Sequence, residues 1–301
     1  MRPTDDLARA MNFPCTRSSP PLLAGVAAWL LVATAVLLSP YPAAAGTEPA
    51  RELRVCADPN NLPFSNERQE GFENKIAELV AGDLGATLRY TWWAQRRGFI
   101  RHTLRARACD VVMGVPNNYD PVLTTKPYYR STYVFLYPKD RGFTLRSLDD
   151  PLLRQLRVGV HVVGDDYANP PPAHALASRQ IITNVVGYSI YGNYLEDNPP
   201  ARIVDAVGSG EIDVAIVWGP FAGYFAKRQP VALEIVSVPP DPGLPRLPFA
   251  FDIALGVRKE DTALKQELEE VLQRRQVEIR SILEDYGIPI VQEAKPRDAS
   301  K

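Results

Sequence analysis

Leu53-Arg54-Val55-Cys56-Ala57 runs straight into Asp58-Pro59-Asn60-Asn61. A short apolar run that stops in a turn-forming cluster reads as a buried strand with a loop at its carboxyl end. Working outward, Phe72, Ile76, Leu79, Val80 and Leu84 follow spacings of 4, 3, 1 and 4, which places them on one face of a helix. Thr87 to Trp92 alternates as a strand does. Phe99 to Ala108 reads as a second amphipathic helix, basic outside, and Asp110 to Val115 as a buried strand. The order β-α-β-α-β predicts a parallel sheet with helices on its faces, because parallel strands need crossover connections.

A second set follows. Tyr128 to Tyr137 is a long aromatic and β-branched strand. Arg157 to Val162, Val185 to Tyr191 and Asp213 to Trp218 read as strands. Helices are expected after Asn169-Pro170-Pro171-Pro172, over Ala201 to Val207 and over Phe221 to Arg228, the first because proline suits an opening helical turn. The proline-rich stretch from Pro239 to Pro248 is a connector and Phe251 to Val257 a further strand. Leu264, Leu268, Val271, Leu272, Ile279, Ile282 and Leu283 mark a long C-terminal helical region that stops at Gly287 and Pro289. The expected fold is α/β, with two lobes, parallel-dominated sheets and a central cleft. The first lobe covers 46–137 and returns over 249–291, the second is inserted over 138–248, and 292–301 is a polar tail. Tyr133–Lys139 and Leu244–Phe251 are the expected connectors.

The 301 residues are 46% hydrophobic and 23% charged, with a formal net charge of −1. That apolar content builds a core and excludes a mainly disordered chain. The balanced charge argues against a nucleic-acid binder, which carries a basic excess or stripe. Arg2, Arg9 and Arg17 precede an uncharged stretch from Leu22 to Leu38, then Pro40, Pro42 and Ala43-Ala44-Ala45-Gly46. A basic region, an apolar run and an Ala-x-Ala site describe a signal peptide over 1–45, removed on export to the periplasm. An uncleaved anchor is the alternative, disfavoured by the helix-breaking prolines. No second run of spanning length follows, so no membrane span is expected in the mature chain.

Cys15 leaves with the signal. Cys56 and Cys109 remain, and an even pair in an oxidising compartment points to a disulfide. Cys56 ends one strand and Cys109 precedes another. Parallel register would hold the sulfurs apart, so a bond and two buried thiols stay open as alternatives. His102, His161 and His174 have no carboxylate or cysteine at ligand spacing, so no metal site is expected. Gly208-Ser209-Gly210 is a helix stop with no Lys-Ser/Thr after it, not a phosphate cradle.

Several strings carry a resemblance. Gly71-Phe72-Glu73 opens the first helix, Lys126-Pro127-Tyr128-Tyr129 enters the crossing strand, Gly210 to Ala215 reads Gly-Glu-Ile-Asp-Val-Ala, and Leu283-Glu284-Asp285-Tyr286-Gly287 closes the last helix. In this order they resemble the type II periplasmic solute-binding proteins, family 3. The longer strings, residues 56–65, 71–77, 90–99 and 127–133, are most similar to the quinoprotein-dehydrogenase-associated branch, including the J proteins encoded with periplasmic methanol dehydrogenases. The resemblance implies a periplasmic accessory protein whose partner is a PQQ-dependent alcohol or methanol dehydrogenase. The quinone and its metal would belong to that enzyme, so no cofactor is expected on this chain.

Departures from the amino-acid receptors of the family are informative. Their segment after the third strand offers an Arg to the ligand carboxylate; here Gly114 to Pro121 has none, and the next is Arg130. Trp218 stands where such receptors usually hold an Asp for the ammonium. Gly164-Asp165-Asp166-Tyr167 replaces a Gly-Thr-Ser/Thr-like loop. A zwitterion in a closed cleft needs both charges paired, so a free amino acid is not the expected ligand.

The candidate ligand- or partner-binding residues follow. Asp58, Asn60 and Asn61 sit at a strand's carboxyl edge, where α/β sheets place ligands, or simply form an Asx turn. Phe64, Phe72, Pro116 and Asp165 complete the expected cleft. Trp92 and Trp93 point to opposite sheet faces; an exposed Trp beside Arg96 and Arg97 has hot-spot composition or caps the core beside a solvated basic turn. Tyr128, Tyr129 and Arg130 are cleft wall or hinge strand, and Arg130 has the fork to grip a carboxylate. Trp218 offers a stacking surface.

Three functions fit: a partner of a quinoprotein dehydrogenase, a receptor passing a small non-amino-acid ligand to an ABC-type permease, or an enzyme on the same fold. The last needs a general acid, for which Glu73 alone is a weak candidate. The chain is expected to be no enzyme.

Overall fold

The computed structural model describes residues 50–163, 169–191 and 194–292. The expected signal peptide, Asp165 and nearly all of the expected tail lie outside the described residues.

Strand β1 (Glu52–Ala57) is followed by two-residue strands β2 (Asn60–Asn61) and β3 (Ser65–Asn66), which pair with each other. Helix α1 (Phe72–Asp83) begins after Gly71, whose N–H donates to Asn74 Oδ1 at 3.1 Å. That bond satisfies one of the donors left open at a helix start. The apolar face of α1 buries Phe72, Ile76, Ala77 and Val80. β4 (Thr87–Trp92) and β5 (Val111–Pro116) both pair in parallel with β1.

Between β4 and β5 the expected ten-residue helix shrinks to α2 (Phe99–His102). Thr103 leaves helical geometry at φ −115°, ψ −83°, and its hydroxyl donates to the Phe99 carbonyl at 2.7 Å. The chain then turns to bury Leu104 and to bring Cys109 to Cys56. A disulfide joins these two cysteines, with their Cα atoms 5.5 Å apart. Strand register alone would separate them, since Cys56 is level with Val112; the bend ahead of β5 closes the gap.

After β6 (Leu123–Thr124), strand β7 (Tyr129–Pro138) passes from one half of the molecule to the other. The second half contains β8 (Val158–Val162), α3 (Pro171–Ser178), β9 (Val185–Ser189), α4 (Arg202–Gly208), β10 (Val214–Trp218), α5 (Gly219–Ala226) and β11 (Leu233–Ser237). β12 (Ala250–Val257) returns, and α6 (Thr262–Arg274) and α7 (Gln276–Asp285) close the first half. Residues 129–132 of β7 pair with β12, whereas 133–138 pair with β10 and β11. The pairing partner changes at Tyr133, whose N–H bonds to the Phe249 carbonyl at 2.8 Å. Both points lie inside the two expected connectors.

Strands linked by βαβ crossovers pair in parallel: β4-β1-β5 in one half, β10-β8-β9 in the other. The strands that travel between halves pair antiparallel. Two further details differ from expectation. The C-terminal helical region divides at Arg275, whose guanidinium binds Asp83 at 2.7 Å and Glu278 at 2.9 Å. β11, unassigned in the sequence, is a half-buried strand held by pairing with β7.

Candidate functional site

Parallel strands of both halves end on one space. β1 delivers Asp58, β5 Gly114 and Pro116, β8 His161 and Val163, and β10 Trp218. The carboxyl edge is where the chain leaves a parallel sheet for its loops and helices, so side chains there face outward around a crevice. The crevice is a cavity of about 420 Å³, within the ~300–1,000 Å³ typical of small-molecule sites.

Its walls are aromatic. Trp218 meets Tyr133 and Phe251 in edge-on contacts with centroids 5.2 and 5.8 Å apart. Phe64 stands edge-on to Phe221 at 5.2 Å, and Tyr129 and Ile253 continue the surface. Such geometry leaves ring faces and edges available to a planar or apolar guest.

The polar groups are few. Asp58 is 3% exposed. Its carboxylate accepts the N–H groups of Asn60 (2.8 Å) and Gln95 (2.6 Å) and the Tyr194 hydroxyl (2.5 Å). The first of these is an Asx-turn bond, so Asp58 shapes its loop while lining the cavity. Glu73, on the first turn of α1, lies against Gly114, where any side chain would collide with its Oε1. Burial, reinforced by the Asp58 charge, pushes Glu73 up to about 8, so it is mainly protonated at neutral pH. His161 is buried edge-on to Phe221, and burial pushes it down to about 4, leaving a neutral ring. Burial also raises the Tyr129 and Tyr133 hydroxyls, which stay protonated. No Lys or Arg lines the cavity among the described residues.

The second half reaches back over the cavity. Besides Tyr194 on Asp58, Asn60 Nδ2 donates to the Glu196 carbonyl at 2.8 Å. The Arg96 guanidinium lies 4.9 Å from the Tyr194 ring centroid and 6.0 Å from that of Tyr191, in cation–π range.

Of the residues singled out in the sequence, Asp58, Asn60, Asn61, Phe64, Pro116, Tyr129 and Trp218 line this cavity. The others do not. Phe72 is fully buried in the first core, against Tyr129 and Tyr286. Trp92 stacks on Tyr90 at 4.5 Å, and Trp93, 47% exposed, stacks on His102. Tyr128 turns away and donates to the Met113 carbonyl at 2.8 Å. Arg130 corrects an expectation: its guanidinium binds Asp252 at 2.7 Å and lies outside the cavity, because alternate residues of β7 face opposite sides. Arg96 and Arg97 line an adjacent groove. Asp165 lies outside the described residues.

The sequence reading left out Gln95, Tyr133, His161, Tyr191, Tyr194, Phe221 and Phe251 as site residues, and named Glu73 only as a candidate acid. His161 was findable as a polar residue near a strand carboxyl end, and Tyr133 as an aromatic residue at the expected crossing. Tyr194 carried no local signal, since its partner is 136 residues away.

A family model described as bacterial extracellular solute-binding proteins, family 3, matches residues 53–287. The chain belongs to this family. It is 32% identical over 249 residues to Protein MoxJ of Methylorubrum extorquens, covering 80% of this chain and 82% of that protein. Protein MoxJ of Paracoccus denitrificans is 29% identical over 267 residues, 85% of this chain and 94% of that one. Among solved structures, the periplasmic binding protein XoxJ from Methylobacterium extorquens is 34% identical with a TM-score of 0.66, over 80% of this chain and all of that one. MxaJ from Methlophaga aminisulfidivorans gives 0.70 at 29% identity, over 79% and 100%. An ancestral cationic amino acid solute-binding protein shares the fold, with a TM-score of 0.61 at 22% identity. This family 3 protein therefore has the two-lobed type II fold. No helix among its described residues is long and apolar enough to cross a membrane.

Proposed function

We propose that this chain is a periplasmic accessory binding protein that associates with a PQQ-dependent methanol or alcohol dehydrogenase. In this reading it is exported by cleavage near residue 45, and its cleft receives an uncharged aromatic or apolar group. One observation carries the reading: the described residues of the cleft offer neither grip for a zwitterion. Among them no Lys or Arg lines the cavity, Glu73 and His161 are neutral, and the Asp58 carboxylate already accepts three hydrogen bonds. Burying an unpaired carboxylate or ammonium there costs several kcal/mol. The similarity to MoxJ, MxaJ and XoxJ proteins supports the dehydrogenase as partner.

A second reading is a receptor that passes an uncharged ligand to a permease. It draws on the 194–196 segment bonded across the cavity mouth, as a closable site requires.

Turnover of the purified dehydrogenase, with and without this protein, separates the two. The proposal expects changed turnover and co-elution of the two proteins on a sizing column. Trp218→Ala, which removes the central ring, is expected to weaken the complex about tenfold. Unchanged turnover at saturating protein, with separate elution, favours the receptor. Calorimetry against quinones, lanthanide chelates and organic acids then searches for its ligand.

A further inference from the structure

Four polar side chains line the cleft without a side-chain hydrogen bond among the described residues: Glu73 on α1, Tyr129 and Tyr133 on β7, and His161 on β8. Tyr129 and His161 are buried, at 6% and 4% exposure. The described side-chain atoms that are both sealed and unpartnered lie elsewhere, on Asn74, Arg258 and Asp261. The four cleft groups are unpartnered without being sealed, so their polar atoms open on the cavity they line. Buried polar groups are satisfied in the great majority of cases, and an open one carries a desolvation penalty. Four around one aromatic-walled cavity mark where a guest supplies the missing partners.

Glu73 decides the chemistry of that guest. A Cβ on Gly114 would stand 2.1 Å from its Oε1, so the carboxyl rests against the bare backbone of β5. It meets the Asp58 charge, no Lys or Arg lines the cavity among the described residues, and burial disfavours its ionised form. It therefore keeps its proton and donates. Tyr129, close enough to feel Glu73, and Tyr133 keep their protons too. Three O–H donors thus open on one space, and an acceptor oxygen on the guest is their complement. A carboxylate guest would bring a second negative charge beside Asp58 with no cation to offset it. An ammonium guest would find only Asp58, whose carboxylate already accepts three hydrogen bonds. The Trp218 and Phe221 rings favour a flat, apolar body.

We propose that the cleft binds an uncharged small ring compound bearing a carbonyl oxygen, with the Glu73 carboxyl donating to that oxygen and the ring against Trp218 and Phe221. The inference rests on the reading of the cleft as a site for an uncharged group and narrows that reading to one chemical class.

Calorimetric titration of the full mature chain with four probes of similar size tests it: acetophenone, α-methylstyrene, benzoate and benzamidinium. All carry the same ring; they offer it a carbonyl, an apolar double bond, a negative charge and a positive charge. Acetophenone is expected to bind at least about tenfold tighter than each of the others. Glu73→Gln keeps an N–H donor and is expected to stay within about threefold of wild type, whereas Glu73→Leu loses about tenfold for acetophenone and none for α-methylstyrene. Melting curves show that each variant is folded, and the probe series on wild type needs no variant. If α-methylstyrene equals acetophenone, or Glu73→Leu keeps the preference, the donor role fails and the uncharged cleft stands. If benzoate or benzamidinium binds tightest, the uncharged reading fails with it. If no probe binds up to its solubility limit, the ring-carbonyl proposal is overturned, while association with the dehydrogenase is judged separately by turnover and co-elution.

Discussion

Glu73 follows the residue that opens α1 and faces a cavity where no described side chain hydrogen-bonds its carboxyl. Burial and the Asp58 charge move it from the ordinary 4.5 up to about 8. Its folded form therefore holds a proton that the unfolded chain has released. That contribution to stability is complete below 4.5 and is lost as pH rises through 8. His161, lowered by burial from 6.5 to about 4, acts in the opposite sense: its contribution is complete above 6.5 and is lost as pH falls through 4. The two slopes oppose between 4.5 and 6.5, and Glu73 acts alone from 6.5 to 8. Glu73→Gln keeps the shape and cannot ionise. It is expected to flatten the fall in melting temperature between pH 6.5 and 8, removing a loss on the order of 2 kcal/mol across that interval. Parallel pH profiles of wild type and variant would show instead that Glu73 titrates as an ordinary carboxylate.

The segment from α2 to β5 shows how a tertiary bond overrides a local pattern. Phe99 to Ala108 has helical apolar spacing, yet only one turn forms, because Leu104 and Cys109 must both reach the core. The Cys56–Cys109 bond closes a loop spanning 53 residues and ties the end of β1 to the entry of β5. Asp58 and Gly114, on the two strands it joins, both line the cleft. Cys56→Ala/Cys109→Ala is expected to cost about 2–4 kcal/mol, chiefly by freeing the unfolded chain, and urea denaturation measures it. A midpoint unchanged by the substitution, or by reductant in wild type, would contradict this.

Across the molecule, the two halves are joined by β7 and β12 and by a contact of α5 with the end of α7. Lys227, just past α5, donates to the Asp285 carbonyl at 3.0 Å, complementing the carbonyl-rich terminus of α7. On the cleft side the Tyr194 hydroxyl donates to Asp58 and the Glu196 carbonyl accepts from Asn60. Tyr194→Phe removes the hydroxyl from a buried carboxylate and is expected to weaken the closed arrangement by about 1–3 kcal/mol. Small-angle scattering should then show a larger radius of gyration than wild type, and hydrogen exchange should show faster exchange over 194–198. Identical scattering and exchange would mean that the halves are held by β7, β12 and α5 alone.

Strand order, helix order, the two crossings and the aromatic character of the cleft were legible in the chain. They depend on periodicity and on turn residues, which act over a few positions. That Asp58, Asn60 and Trp218 would line the cavity was legible for the same reason, since strand carboxyl ends are marked by the turns that follow. Folding alone settled which charges meet. Arg130 went to Asp252, 122 residues away, and Tyr194 went to Asp58 across 136. No local pattern encodes such pairings, because they arise when distant segments close on one another. The disulfide and the protonation of Glu73 both follow from that closure.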